Sequence, residues 1–471
     1  SLVFLHLFNN KLTGPIPSEI GYLVSLEVFS LFNNRLTGTV PSELTKLHLL
    51  EWLGIGNNLL SGTIQSELSN LGKLSVFSFV SNHLTGTIPS ELGNFLQIDI
   101  IEFALNALTG TIPPEFGSLS AVDAILLQYN YLSGSIPGEL SGSVRLDVLY
   151  LHSNALTGSF PLELTTVLDL NWLVLGNNAL TGSIPVEIGD LERLTFLDLF
   201  NNFLTGTIPS SIAKMGRLAW LYLHGNDLTG TIPPEVGNLR RLTFVGLGDS
   251  LLSGVIPSSI GKLVNLQNLV LRNALLTGPI PNEINNLTIL EELDIESNDI
   301  TGTFPPGLFN LVSVEVIQMQ HNSLSGSIPN EIERLSSLKW LVLNDNILSG
   351  TIPVQLGRLN QMQQIVLSYN ALTGHVPVEV GGLFNVEVLD FSKNILTGSV
   401  PRELGQLANV HSVFLQSNRL TGEVGDAFNY LLQQRLEVLD LSDNLLSGHF
   451  GKNLFLLSAL RVLALSGELP F

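Results

Sequence analysis

The sequence predicts an α/β solenoid of about 19 complete 24-residue rungs with partial ends, and three observations carry that reading. An asparagine recurs at 24-residue intervals from Asn10 to Asn226, lapses at Ser250 and Ala274, and resumes in register from Asn298 to Asn418. A glycine stands four residues after this ladder position in every complete rung, from Gly14 to Gly448. Apolar residues fall at offsets −8, −5, −3, +2, +6, +10 and +13 from the asparagine; in the rung of Asn202 these are Leu194, Leu197, Leu199, Leu204, Ile208, Ile212 and Met215. A period held this long means rungs that stack on their neighbours, and it places residues 1–471 in one solenoid domain.

The elements of a rung follow in order. Alternation of apolar residues around −5 and −3 has period two, so each rung opens with a short strand buried on one face. Strands of successive rungs lie side by side and parallel, building one long sheet. The chain must then bend away, which strands backbone groups without ladder partners. A buried asparagine amide, both donor and acceptor, can satisfy those groups on adjacent turns. The glycine at +4 either takes a backbone angle that other residues avoid or lets rungs approach closely. Proline at +7 and glutamate at +9, as in Pro185-Val186-Glu187, look like a helix start. Proline suits the first helical position, and glutamate suits the positive end of the dipole.

Two departures from the period stand out. Ser250 can replace only part of the asparagine's bonding and Ala274 none, so an irregularity of packing or curvature is expected over 245–280. A two-residue insertion lies between Asn418 and Asn444, expected to enlarge a loop around Tyr430–Arg435.

Composition narrows function by exclusion. A formal charge of −20 argues against nucleic acid and anionic membranes as partners. Glutamate fills +9 in 13 of the 19 complete rungs, so much of that acidity is a by-product of the repeat. With no cysteine there are no disulfides, thiolate metal sites or cysteine nucleophiles. No apolar run is long enough for direct membrane insertion by this segment. The histidines are scattered without a Ser or Asp at motif-like spacing, no phosphate loop of the GxxxxGK type occurs, and a groove of repeats lacks an enclosed pocket. The expectation is therefore no enzyme activity in this segment, no cofactor and no metal. The chain opens inside a rung and ends just past Glu468, where the next ladder residue would stand, so it is read as a piece of something longer without terminal caps. Uncapped ends would expose core leucines and strand edges, which favours self-association.

The pattern LxxLxLxxNxLTGxIPxEL, present along essentially the whole chain, closely resembles the plant-type leucine-rich repeat of receptor-like kinase ectodomains, polygalacturonase inhibitors and secreted algal proteins. The resemblance implies a right-handed superhelix with a concave parallel sheet, a second small strand at the LTGxIP segment and 3-10 turns on the convex side. It implies a secreted protein or the ectodomain of a membrane protein, at the cell surface or outside the cell, binding a peptide or protein and associating with a second copy or a co-receptor. Paired-cysteine caps, kinase motifs and a long island insertion are not found, so any kinase would lie outside residue 471.

In that geometry the outward strand positions −6, −4, −2 and −1 form the concave face. They supply the candidate ligand-binding residues Tyr150, His152, Asp198, Phe200, Tyr222, His224, Arg272, Glu292, Asp294 and Glu296, an aromatic and histidine surface followed by an acidic one. All four tryptophans stand at −6, as do Phe196 and Phe244, and a residue class confined to one position reports stacking there. Glu292, Asp294 and Glu296 share one strand face, but their spacing converges poorly on a metal. An alternative function rests on the hydroxyls. Position +3 is Thr or Ser in all 19 complete rungs and +5 in 13, the latter including Thr39, Thr87, Thr111, Thr207, Thr231, Thr303 and Thr351. Residues two apart share one strand face, so these form a two-column array resembling the ice-binding faces of some antifreeze solenoids. Asn286-Leu287-Thr288 is an N-glycosylation sequon that also fits the repeat's own consensus.

Overall fold

The computed structural model describes residues 2–424, 427–429, 432–449 and 452–466. It divides into two compact units, Ser1–Thr229 and Gly230–Phe471. In the first unit ten three-residue parallel strands run from Phe4–His6 to Trp220–Tyr222, and in the second ten run from Phe244–Gly246 to Val462–Ala464, counted among the described residues. Strand partners within a unit stand one rung apart, as Trp172↔Phe196 and Glu292↔Val316 do. The predicted second strand is present too: Tyr131–Ser135 pairs with Ala155–Ser159, and Leu251–Val255 with Leu275–Pro279. Among the described residues 18 rungs carry a five-residue 3-10 turn on the back, such as Ser210–Lys214.

Every apolar offset named for the rung of Asn202 is buried, from Leu194 to Met215. Between them sits the asparagine ladder. Asn106 Nδ2 donates to the carbonyls of Phe103, Ala104 and, in the preceding rung, Phe79 at 3.1, 3.2 and 3.0 Å. Its Oδ1 accepts from the Leu84 N–H at 3.0 Å. One side chain thus closes its own bend and ties it to the rung before, which is the bonding that the bend demands.

The proline at +7 is not the first helical residue. Pro209 is extended (φ −71°, ψ 136°) and caps the turn from outside. Its carbonyl accepts the first 3-10 bond, from Ile212 N at 3.1 Å. Only where a second proline follows, at Pro114, Pro234 and Pro306, does proline stand inside the turn. The turn closes with Met215 N donating to the Ile212 carbonyl at 3.0 Å, and the fixed φ of proline serves to aim the carbonyl that starts it.

The glycine at +4 takes the left-handed conformation in every described rung (Gly110, φ 78°). The residue at −1 does the same; it is Gly225 in the rung of Asn226 and a residue other than glycine in the other described rungs, from Asn9 to Asp443, and the position tolerates Leu105, Tyr129 and Tyr369. A second glycine column at +11 brings adjacent 3-10 turns together. A Cβ on Gly93 would lie 2.5 Å from the Glu115 carbonyl oxygen, whereas one on Gly72, which stands outside that column at +14, would meet nothing. Gly93→Ala is therefore expected to cost roughly 2–3 kcal/mol, as overpacking against backbone does. Gly72→Ala should stay within about 0.5 kcal/mol. Equal thermal shifts for the two variants would show that the turns are not in close contact.

Over 245–280 the strands keep the common register, Phe244↔Asn268 and Asn268↔Glu292. The difference is in side-chain bonding. Ser250 Oγ donates to the Leu247 carbonyl at 2.8 Å. Ala274 offers nothing to the buried Leu252, while one rung later Leu276 N donates to Asn298 Oδ1 at 3.0 Å. At the insertion the ladder closes again, with Leu420 N donating to Asn444 Oδ1 at 3.0 Å. Gln433, buried in that stretch, donates to the Leu404 carbonyl at 2.9 Å. Tyr430 and Glu468 lie outside the described residues.

Candidate ligand-binding surface

Positions −6, −4 and −2 point away from the core because −5 and −3 point into it. In the first unit this places the predicted aromatic residues in one continuous patch. Trp172 and Phe196 stack with centroids 4.8 Å apart and planes 5° apart. Phe196 continues to Trp220 at 5.6 Å and to Tyr222 at 5.3 Å. Tyr150 meets Trp172 at 6.2 Å and His152 at 5.9 Å, and Phe200 stacks on His224 at 5.1 Å. Strands one rung apart are about 4.8 Å apart, close to ring-stacking distance, so a column of aromatics stacks by register alone. Burial holds His152 below the usual imidazole range, and its Nδ1 has no partner among the described residues.

Asp198 lies inside this patch, between Phe196 and Phe200 in sequence and opposite Val174 and Tyr222 on the neighbouring strands. It is only 6% exposed. Its Oδ1 accepts the Phe200 N–H at 2.9 Å. Among the described residues its second oxygen meets no donor. Burial pushes its carboxyl up to about 7, against which the Phe200 bond pulls weakly down. The cover comes from Phe200. Gly176 stands beside it, and a Cβ there would lie 2.6 Å from both a Phe200 ring carbon and Asp198 Oδ1. The absent side chain lets the phenyl ring settle over the carboxylate.

The second unit carries the acidic group. Arg272 Nε lies 3.3 Å from Asp249 Oδ2, and its guanidinium lies 3.7 Å from Asp294 Oδ2. Asp294 is buried. Desolvation first, then Glu296 and Glu292, raises its carboxyl to about 6, opposed by the Glu296 N–H and Arg272. Asn268 donates to Glu292 at 2.8 Å and Gln320 to Glu296. Arg272, Asp294 and Glu296 are thus brought together, while Glu292 is engaged with Asn268. Asp249 was missed in the sequence, although it precedes Arg272 by 23 positions and the ladder register makes such residues neighbours. No three described His, Asp or Glu residues converge as a metal site would require.

The threonines proposed as an alternative face all lie exposed on the flank. Their methyls have a packing role. A Cβ on Gly110 would lie 2.7 Å from Thr87 Cγ2, and one on Gly254 2.9 Å from Thr231 Cγ2, so each methyl covers the next rung's glycine. Many of the +3 hydroxyls donate to the preceding rung's glycine carbonyl, as Thr85 does to Gly62 at 3.3 Å. Asn286 ends the 3-10 turn Asn282–Asn286, and both it and Thr288 are exposed.

Sequence families described as leucine-rich repeats match residues 290–348, and 1–23, 25–47, 193–215, 217–239 and 385–407. No curated protein matches the chain. Among solved structures, the ectodomain of the Arabidopsis thaliana receptor kinase GASSHO1/SCHENGEN3, in complex with CASPARIAN STRIP INTEGRITY FACTOR 2, is 31% identical over 99% of this chain and 67% of its own, with a TM-score of 0.72. PEPR1 with AtPEP1 is 30% identical over 99% and 72%, TM-score 0.84. The Arabidopsis receptor kinase HAESA, in complex with the peptide hormone IDA and the co-receptor SERK1, is 30% identical over 95% and 87%, TM-score 0.59.

Proposed function

The chain belongs to the plant-type leucine-rich repeat family, and we propose that it is a non-enzymatic recognition module that binds a peptide or protein on its outward strand face. The observation that carries this reading is the aromatic patch of the first unit. Its rings are partly open to solvent and rigidly stacked, the kind of surface that concentrates binding energy. Similarity to peptide-bound receptor ectodomains supports it, as does the complex of one of them with a co-receptor. The reading places the segment outside the cell or at its surface, as part of a receptor or a secreted protein, with Asn286 open to glycosylation. Among the described residues no helix is long and apolar enough to cross a membrane.

The test is a bead-bound library of random peptides screened against the whole chain, followed by affinity measurement on the enriched sequences. Phe200→Ala and Tyr222→Ala should each weaken binding by tenfold or more, the range of a buried aromatic anchor. Thr207→Lys and Thr231→Lys should leave it unchanged. A second reading rests on the exposed threonine array, whose methyls are held in place by the glycines beneath them. It expects thermal hysteresis from the purified chain, abolished by the two threonine variants and untouched by the aromatic ones.

A further inference from the structure

Within the aromatic patch one group does not belong to an aromatic stack. Asp198 is a carboxylate set among rings, nearly all of it out of water, with one oxygen held by the Phe200 N–H and the other without a donor among the described residues. Buried carboxylates are ordinarily paired, because an unpaired one costs more than the fold gains from it. Ion pairing with a neighbouring strand is how the second unit treats the equivalent position, where Arg272 lies 3.7 Å from Asp294. The first unit supplies no such partner. From the rung of Asn130 to that of Asn226, positions −6, −4, −2 and −1 carry neither lysine nor arginine.

We propose that this patch is the subsite for an arginine side chain of the peptide ligand, its guanidinium pairing with Asp198 and stacking on the surrounding rings. The inference rests on the peptide-binding reading and names one residue of the ligand. A guanidinium is planar, so it can lie against Trp172, Phe196, Trp220 or Tyr222 while its edge donates to a carboxylate. A charge-assisted bond would satisfy the oxygen left without a donor. The Phe200 ring lies beside the carboxylate, in the space that a side chain on Gly176 would take. That ring is partly exposed, and the glycine at 176 leaves it no side chain of its own strand neighbour to lean on. The site thus repeats, between ligand and protein, the pairing that Arg272 and Asp294 make within the second unit.

The probe is a pair of short peptides, acetyl-Gly-Arg-Gly-amide and its citrulline counterpart, which keeps the shape and loses the charge. Binding to the whole chain is read by tryptophan emission and by ligand-observed NMR. The arginine peptide should bind at least tenfold more tightly than the citrulline peptide. Asp198→Asn keeps the bond to Phe200 and should reduce the arginine peptide to the citrulline level, leaving the citrulline peptide unchanged and the circular dichroism intact. Equal binding of the two peptides overturns the proposal, and so does a preference that survives in Asp198→Asn. The library screen separates the two failures. Enriched peptides without arginine would overturn the subsite and leave the binding face standing, whereas a screen that enriches nothing would remove both.

Discussion

Asn106→Ala is expected to lower the stability of its neighbourhood by roughly 3–5 kcal/mol. The asparagine makes four hydrogen bonds and is 9% exposed, so water cannot replace what is lost. Each bond contributes about 1 kcal/mol net, and a buried N–H left unmet, here that of Leu84, costs about 1–3 kcal/mol more. In a stacked-repeat protein the loss is felt first by adjacent rungs. Hydrogen exchange at Leu84 and Leu108 should therefore accelerate before that of distant rungs, together with a lower thermal midpoint. The reverse experiment is available at the natural gap. Ala274→Asn would give the buried Leu252 N–H its acceptor and should raise stability by about 1–2 kcal/mol. If Asn106→Ala shifts the midpoint no more than an exposed alanine substitution does, the ladder is not what ties the rungs together.

How much of this could be read in advance depends on whether a position repeats. The strand, the asparagine and the +4 glycine recur in each rung, so one physical argument made once applied throughout. The left-handed residue at −1 also recurs, yet its identities run from Asn9 to Leu105 and Tyr369, and no single residue type betrays it. Asparagine is common there because its short polar side chain tolerates that conformation. The glycine at 93 was visible, but its reason was not, since the contact it permits is with the carbonyl of Glu115 in the next rung. The outward face was legible only as a list of side chains. Alternation placed Asp198 and Asp294 outside the core, correctly, and from that alone both would be solvated. The structure buries them instead: ring and guanidinium neighbours on strands about 4.8 Å apart are longer than an aspartate and close over it. Which side chains overtop their neighbours depends on residues 24 and 48 positions away, and that comparison has no counterpart in the pattern of one rung.

Those two carboxylates each contribute a stability term that is more favourable on the acid side and that substitution can remove. Asp198 titrates near 7 when folded and at 3.8 when its surroundings are lost. The folded chain therefore holds a proton that the unfolded chain has released throughout that interval. Stability falls as pH rises from about 4 to about 7, and the full penalty persists above it. A displacement of about three pH units corresponds to something on the order of 4 kcal/mol. Asp198→Asn cannot ionise and keeps its bond to Phe200. It should raise the thermal midpoint strongly at pH 8 and hardly at pH 4, flattening the profile between. Asp294 acts in the same direction over a narrower window, from 3.8 to about 6. Its substitution by asparagine should gain less, because Arg272 would then lose one of its two carboxylate partners and keep only Asp249. An Asp198→Asn stabilisation equal at both pH values would mean that the carboxylate is already solvated in the folded chain. A stabilisation confined to high pH would establish that the free protein carries an unpaired carboxylate, the condition an incoming cation would relieve.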